Sequence, residues 1–401
     1  MKILQNYKHT VRASYLAYIT QAIVINFAPL LFLTFSSSFG LSLSDITLMT
    51  TVNFLVQLAV DFLATKFVDK IGYRPCVLAA HVFSVLGILG MAFLPSVLPP
   101  YAGLMISVVL YAIGGGVIEV LISPIMEACP TENKEGSMSL LHSFYCWGQV
   151  GVVLFSTLFF VVFGIENWRI MACIWAIVPL VNSFYFSVVP IYPIIKEGEQ
   201  TPLSGLFKQK AFWLILVIMV CAGASEQAIA QWASTFAESG LNVSKTVGDL
   251  AGPCAFAVCM GTARALYGKF SKKLALKPAM MASAGLCIVC YLVVALSQNA
   301  VLALFGCALC GFSVGIFWPG TFSVASVRLP KAGTAMYALM ALAGDLGCSA
   351  GPTLVGLVAG GTGNSLQMGV LSAMVFPILI LFGVGLLKIE KKRVYKGENE
   401  K

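Results

Sequence analysis

Twelve long apolar stretches, separated by short polar breaks, dominate this 401-residue sequence. Each stretch is about 20 residues long or longer, which is the length that an α-helix needs to cross the hydrocarbon core of a bilayer. Hydrophobic residues make up 59% of the chain and charged residues only 10%, and the apolar runs are continuous rather than alternating. In lipid, helices satisfy their own backbone hydrogen bonds. The sequence therefore predicts an all-α membrane protein with twelve transmembrane helices.

The predicted spans lie near 12–36, 46–68, 75–95, 99–128, 137–163, 167–190, 210–236, 247–268, 278–296, 299–325, 333–358 and 367–388. All but two of the 25 lysines and arginines fall on one side of these spans, and the exceptions are Arg169 and Lys245. Loops that remain in the cytoplasm carry an excess of Lys and Arg. We therefore expect a multi-pass protein of the cytoplasmic (inner) membrane with both termini in the cytoplasm.

The two halves of the chain resemble each other. The segment Lys66-Phe67-x-x-Lys70 recurs 203 positions later, Gln21-Ala22-Ile23 recurs 206 positions later, and Gly148-Gln149-Val150-Gly151 recurs as Gly344-Asp345-Leu346-Gly347. Six helices per repeat make the repeats parallel, with a pseudo-two-fold axis along the membrane normal. We expect an N-terminal six-helix bundle over 1–190, a cytoplasmic linker over 191–209, and a C-terminal six-helix bundle with a basic cytoplasmic tail over 210–401.

The polar break after the second span carries the sequence Ala64-x-x-x-Val68-Asp69-Lys70-x-Gly72-Tyr73-Arg74. This segment resembles the signature of the major facilitator superfamily in Asp69, Lys70, Gly72 and Arg74, although Ala64 stands where Gly is usual. The resemblance implies a secondary transporter that works by alternating access. It also implies that Asp69 and Arg74 take part in gating, by holding the cytoplasmic ends of helices together.

The fourth span is similar to a pattern of the fucose/glucose–galactose proton symporter family. The shared residues are the glycines at 114–116, Glu119 and Pro124, while Ser123 replaces an Asn of that family. The family also has an acid in its first helix, and the matching residues from Asn26 to Pro29 contain none. This weaker resemblance implies sugar transport coupled to protons.

Five charged residues lie four or more positions from the ends of the predicted spans, and a carboxylate at mid-membrane depth, such as that of Glu119, costs about 2.5–3.5 kcal/mol on the lenient insertion scale. Glu119 is our candidate for proton coupling, with Glu226 as the alternative. Asp61 and Arg264 occupy equivalent positions of the two halves, so they can form a gating ion pair, directly or through other residues. Alternatively, Arg264 extends its charge to the cytoplasm. Asp345 can carry a proton or hold a helix contact in the gate.

Polar and aromatic residues at mid-membrane depth are the candidates for binding a substrate. Gln227 and Gln231 lie one turn apart on the seventh span and share a face, with Trp232 beside them. In the resembled superfamily the first, fourth, seventh and tenth helices line the cavity, which adds Asn26 and Trp318. Amides with aromatic rings suit sugar hydroxyls and the apolar face of a sugar ring, and they also suit other neutral polar solutes. Interhelical hydrogen bonding is the alternative role of the glutamines.

The sequence lacks the HExxH, GxSxG and Walker A motifs of enzymes and pumps, and its two Cys-x-x-Cys pairs, which begin at Cys287 and Cys307, lie inside apolar spans where they suit helix packing. We expect a secondary active transporter, not an enzyme, with no cofactor or metal. Its expected partners are a small-molecule substrate such as a sugar, protons and the lipid bilayer, with no nucleic acid, and we expect a monomer. The alternative is a proton-driven exporter of drugs or amphipathic compounds, because Gly344-x-x-Gly347-x-x-x-Gly351-Pro352 resembles an antiporter motif.

Overall fold

The structure is a computed structural model that describes residues 6–192, 201–233, 250–363 and 365–387. In the first half, the spans run over Tyr7–Leu30 with Phe32–Phe39, Leu43–Ile71, Tyr73–Phe93, Pro100–Ala128, Lys134–Phe163 and Trp168–Val188. In the second half they run over Lys210–Ala230, Ala255–Phe270, Leu276–Leu296, Ala300–Val314 with Phe317–Arg328, Gly333–Gly361, and Leu366–Ala373 with Val375–Leu386. We refer to them as the first to the twelfth span.

The twelve-helix fold class is confirmed, and the predicted boundaries agree with the helices to within a few residues where they can be compared. Eleven helices among the described residues are long and apolar enough to cross a membrane. The eighth span is shorter there, because Ala255–Phe270 follows a single wider turn at Leu250–Cys254 and the predicted start at 247–249 lies outside the described residues. The predicted end of the seventh span at 234–236 also lies outside them, as do 193–200 of the linker.

Three spans are interrupted near prolines in a way that the sequence only partly predicts. The twelfth span breaks at Met374, three residues before Pro377. The first span breaks at Leu31, two residues after Pro29. The tenth span breaks at 315–316, just before Trp318 and Pro319. A proline has no N–H and its ring obstructs the carbonyl four residues earlier, so Pro319 prevents Gly315 from accepting a helical hydrogen bond. This free carbonyl becomes part of the functional site.

The spans of each half pack into one bundle. In the N-terminal bundle the third span packs on the fourth and sixth, and the first on the fifth. In the C-terminal bundle the most extensive contact is between the seventh and eleventh spans. Side chains at Gly223, Gly347 and Gly351 would overlap the backbone of the facing helix, so these glycines allow the two helices to approach backbone to backbone.

A pair of matching contacts shows the internal repeat directly. Arg74 donates to the carbonyls of Phe186, Ser187 and Val189 at 2.6–2.8 Å, at the end of the sixth span. Its counterpart 203 positions later, Lys277, donates to two carbonyls at the end of the twelfth span, at 2.6 and 2.7 Å. In both halves a basic side chain therefore binds the unpaired carbonyls at the end of the last helix.

The two bundles are held together on the side at which the first span begins, which we call the inner face and which the sequence predicts to be cytoplasmic. The second span meets the eleventh, where Thr334 donates to Asp69 at 2.5 Å. The fifth span meets the eighth, where Asn133 donates to Ser271 at 2.7 Å. Among the described residues, the side-chain hydrogen bonds between the bundles lie in this inner half or at its boundary with the cavity. The structure is therefore closed at the inner face.

Candidate functional site

A cavity of about 690 Å³ lies between the bundles, on the outer side of these contacts. Its wall includes five side-chain amides or carboxyls of the N-terminal bundle and four of the C-terminal bundle, namely Gln21, Asn26, Gln57, Glu119 and Gln149, and Glu226, Gln227, Gln231 and Asp345. Aromatic side chains complete the wall, namely Tyr18, Phe54, Tyr145, Phe256 and Trp318. The volume is within the range of about 300–1,000 Å³ that is typical of small-molecule sites.

Four of the five residues predicted to bind substrate lie on this wall. They are Asn26, Gln227, Gln231 and Trp318, and they come from the first, seventh and tenth spans. The Trp318 ring occupies space that a side chain at position 344 would fill. Trp232 is the exception: it is half-buried beside Gly356 of the eleventh span and does not line the cavity. The structure therefore does not support Trp232 as a residue that contacts substrate.

Glu119 reaches the cavity from the fourth span and is held by an amide of the first span. The Nε2 atom of Gln21 donates to Oε2 of Glu119 at 2.7 Å. A neutral amide orients the carboxyl group but does not neutralise its charge when it is ionised. Glu119 can therefore exchange a proton with the cavity while its position is kept fixed.

Glu226 has a different environment, because it forms an ion pair with Arg264. The two side chains are 3.2 Å apart and are 13% and 4% exposed, respectively. The direct pairing of Arg264 with Asp61 is thus not formed, and the alternative of an Arg264 side chain extending to the cytoplasm is wrong because the residue is buried. Glu226 lies closer to Arg264 because the seventh and eighth spans belong to the same bundle, whereas Asp61 belongs to the other.

The remaining donors of Arg264 connect both bundles to the break in the tenth span. Its Nε atom donates to the Gly315 carbonyl at 2.8 Å, which is the carbonyl that Pro319 leaves free. Its Nη1 atom donates to the His142 carbonyl at 3.2 Å and contacts Cys146 Sγ at 3.1 Å, both on the fifth span. Arg264 therefore forms part of the cavity floor at the junction of three spans.

The predicted gating residues lie at or below this floor. Asp61 is fully buried on the second span, which packs against the eleventh span that carries Asp345. Asp69 lies further inward and accepts from Thr334, which Tyr73 also contacts. These contacts join one bundle to the other. Arg74, in contrast, binds carbonyls within its own bundle. In this conformation it therefore fixes the end of the sixth span and does not join the two bundles.

The sequence profile of the Major Facilitator Superfamily matches residues 14–352, which is most of the chain. This chain belongs to the Major Facilitator Superfamily. None of the curated protein sequences compared with it matches.

Solved structures of superfamily transporters have a similar fold at low sequence identity. FucP in the outward conformation superposes with a TM-score of 0.81 at 14% identity, covering 94% of this chain and 97% of that one. The proton:xylose symporter XylE, bound to 6-bromo-6-deoxy-D-glucose, gives 0.79 at 13% identity and 94% coverage of both chains. The human organic anion transporter MFSD10 gives 0.74 at 14% identity, covering 94% and 99%. At such identities the likeness shows the fold alone.

The structure also shows cavity residues of this superfamily member that sequence reasoning missed. Gln21 is the repeat counterpart of Gln227, and Gln149 is the counterpart of Asp345, so the internal repeat could have identified both. Tyr18 also lines the cavity and belongs to a buried cluster, in which its hydroxyl lies 2.9 Å from Ser123 Oγ, which is 3.2 Å from His142 Nε2. No sequence pattern joined these three residues, because they come from three different spans.

Proposed function

We propose that this protein is a proton-coupled symporter that moves a small polar solute, a sugar or related compound, by alternating access. The observation that carries the proposal is the position of Glu119. This carboxyl group lies on the wall of the cavity, is bonded to a neutral amide, and shares the wall with the amides proposed to bind the substrate. Proton binding and substrate binding can therefore influence each other directly.

Substrate recognition is assigned to the amides and rings of the wall. Asn26, Gln227 and Gln231 offer both donors and acceptors, which matches the paired donor and acceptor character of hydroxyl groups. Trp318 offers a flat apolar face against which a sugar ring can stack. With a cytoplasmic N-terminus, the closed inner face makes this an outward-facing arrangement that is ready to take up substrate from outside.

Glu119 is preferred to Glu226 as the carrier of the coupling proton. Glu226 is paired with Arg264, and protonating it would leave a buried guanidinium, which cannot lose its own proton, without a counter-charge. Protonating Glu119 removes an uncompensated charge instead. The named substrates of FucP, a fucose:proton symporter, and of XylE, a proton:xylose symporter, support this class of substrate and coupling.

The alternative function is a proton-driven exporter of drugs or amphipathic compounds. Its sequence support was the glycine motif that ends at Gly351 and Pro352. In the structure, Gly347 and Gly351 face the backbone of the seventh span, so close packing of helices explains these glycines without an antiport mechanism. The polar wall of the cavity also favours a hydrophilic solute.

Transport by the purified protein in liposomes tests the proposal. A panel of labelled sugars should include one that accumulates when the outside is acidic relative to the inside. Glu119→Gln, which mimics the protonated state, should abolish accumulation but retain substrate binding and exchange. Glu166→Gln, at an exposed acid between the fifth and sixth spans, is the matched control and should behave as wild type. Gradient-driven accumulation by Glu119→Gln would remove Glu119 from the mechanism, and uptake of amphipathic dyes but no sugar would favour the exporter.

Replacement of one amide tests the binding role separately from coupling. Gln231→Ala should weaken substrate binding by about 1–3 kcal/mol, because a buried hydroxyl of the substrate loses its partner. Gln367→Ala, at an exposed glutamine near the outer end of the twelfth span, is the control. Binding is measured by calorimetry with the sugar identified above, and equal affinities of the two variants would contradict the assignment.

A further inference from the structure

The second span carries a polar stripe that its own bundle does not satisfy. Asn53, Gln57 and Asp61 recur at intervals of four residues, so they lie on one face of the helix, and they are 8%, 3% and 0% exposed. Asn53 Oδ1, Gln57 Nε2 and both carboxyl oxygens of Asp61 are buried without a hydrogen-bonding N–H, O–H or carbonyl partner among the described residues. Such groups are costly to bury unless they have a function.

The eleventh span presents a matching stripe across the seam between the bundles. Asp345, Ser349 and Thr353 also recur at intervals of four residues, and all three line the cavity together with Gln57. The second and eleventh spans pack against each other and run in opposite directions. Within this antiparallel register Asp61 and Asp345 lie opposite each other at the inner ends of the two stripes.

Two ionised carboxylates cannot satisfy each other, because neither has a donor and their charges repel. One shared proton removes both difficulties, since a carboxylic acid donates to a carboxylate. Among the residues that the structure describes, the other ionisable groups that face this pair do not supply a positive charge. Glu119 approaches from the fourth span and Cys348 from the next position on the same face, while the nearby Glu226 of the seventh span already occupies Arg264 of the eighth.

We propose that Asp61 and Asp345 form a second proton-binding site, which the two bundles share and which holds one proton while the inner face is closed. The inference rests on the proposed proton coupling and extends it to a site distinct from Glu119. Asp345 reaches the cavity, so a hydronium ion there can protonate the pair. When the inner face opens, the seam separates, the carboxylic acid loses its partner, and its proton passes to water on the inner side.

The site makes closure of the inner face depend on pH, so that closure weakens as the pH rises. The shared proton stabilises the closed seam, so closure is complete at low pH and is weakened as rising pH removes the proton and leaves two repelling carboxylates. Asparagine in place of one aspartate provides a permanent amide donor to the other carboxylate. Asp345→Asn and the double variant Asp61→Asn/Asp345→Asn should therefore keep the seam closed at all pH values.

Hydrogen–deuterium exchange of the full-length protein, measured by mass spectrometry and corrected for the pH dependence of chemical exchange, tests this without a known substrate. Peptides covering 61–72 and 333–345 report on the seam. In the wild type their protection should fall by about 5- to 150-fold between about pH 6 and pH 8, the usual range of coupling between two sites. Asp45→Asn, in the capping box at the outer end of the same span, should keep that dependence, and the two asparagine variants should lose it.

Two results would overturn the second site. One is hydrogen-exchange protection of the wild-type seam that does not change with pH. This measurement does not depend on the folding of any variant. The other is retention of the wild-type pH dependence by both asparagine variants. Glu119→Gln separates this inference from the proposed function: it should lose sugar accumulation but keep the pH-dependent seam. If the pH dependence is lost in Glu119→Gln and retained in the asparagine variants, the second site is rejected and the role of Glu119 stands.

Discussion

The ion pair between Glu226 and Arg264 leads to a quantitative prediction about stability. At their separation of 3.2 Å, the attraction between the charges is about 5 kcal/mol for an effective dielectric constant of about 20. Removal of one partner of a buried pair typically destabilises a protein by about 3–5 kcal/mol, because the other charge stays buried. We expect Glu226→Gln to lower the free energy of unfolding by that amount.

The two single variants should differ in their response to pH. Glu226→Gln leaves a guanidinium that cannot lose its proton, so its destabilisation should be the same at pH 5 and pH 8. Arg264→Gln leaves a carboxyl group that can bind a proton, so its destabilisation should be smaller at pH 5. Arg264→Gln also removes the donor to the Gly315 carbonyl, which adds a pH-independent loss of about 1–3 kcal/mol.

Equilibrium unfolding in mixed dodecyl maltoside and SDS micelles, followed by tryptophan fluorescence, gives the free energies. The double variant Glu226→Gln/Arg264→Gln completes a double-mutant cycle. Its destabilisation should be several kcal/mol smaller than the combined losses of the single variants, because no unpaired charge remains. Additive losses, or a loss below about 1 kcal/mol for Glu226→Gln, would show that the two side chains do not stabilise each other.

Three further predictions concern the cavity, the repeat and the topology. Gly344→Ala should weaken sugar binding and change tryptophan fluorescence, because the added methyl group displaces the Trp318 ring, whereas Gly360→Ala, which meets no neighbour, should do neither. Arg74→Ala and Lys277→Ala should each lower stability by about 1–3 kcal/mol in the same unfolding assay, because each leaves helix-end carbonyls unpaired; a loss in only one variant would contradict their equivalence. Reporter fusions in the loop between the third and fourth spans and in the loop between the eighth and ninth should report opposite sides of the membrane, and the same side for both would refute the topology.

The positions of the spans could be predicted from the sequence because the bilayer imposes a length and an apolar composition on every crossing helix. The breaks were less predictable. Pro319 indicated an interruption near Trp318, but the location of the break at 315–316 depends on Arg264 of another span supplying the missing donor. In the first span the helix continues as Phe32–Phe39 after the break at Leu31, an interruption that composition alone does not reveal.

The cavity wall was predictable to the extent that buried polar residues are rare in lipid. Asn26, Gln227 and Trp318 were identified by their type and depth, and they do line the cavity. Trp232 is an aromatic residue at a similar depth to Trp318, but it lies on a face of its helix that contacts Gly356 and not the cavity. Pairing was not predictable, because the equivalence of Asp61 and Arg264 in the repeat says nothing about which side chain of another span lies nearest to either.

That equivalence has an evolutionary consequence. If the two halves arose by duplication of a six-helix ancestor, the ancestral pair of seams was identical, and one position has since become an acid in one copy and a base in the other. The buried acid of the second span meets another acid, whereas the buried base of the eighth span meets backbone carbonyls, a thiol and an acid of its own half. The seam between the second and eleventh spans thus carries two carboxyl groups that can bind a proton, whereas the seam between the fifth and eighth spans carries a guanidinium that stays charged. A transporter with functionally different halves can evolve in this way from two identical halves, without any change in the arrangement of its helices.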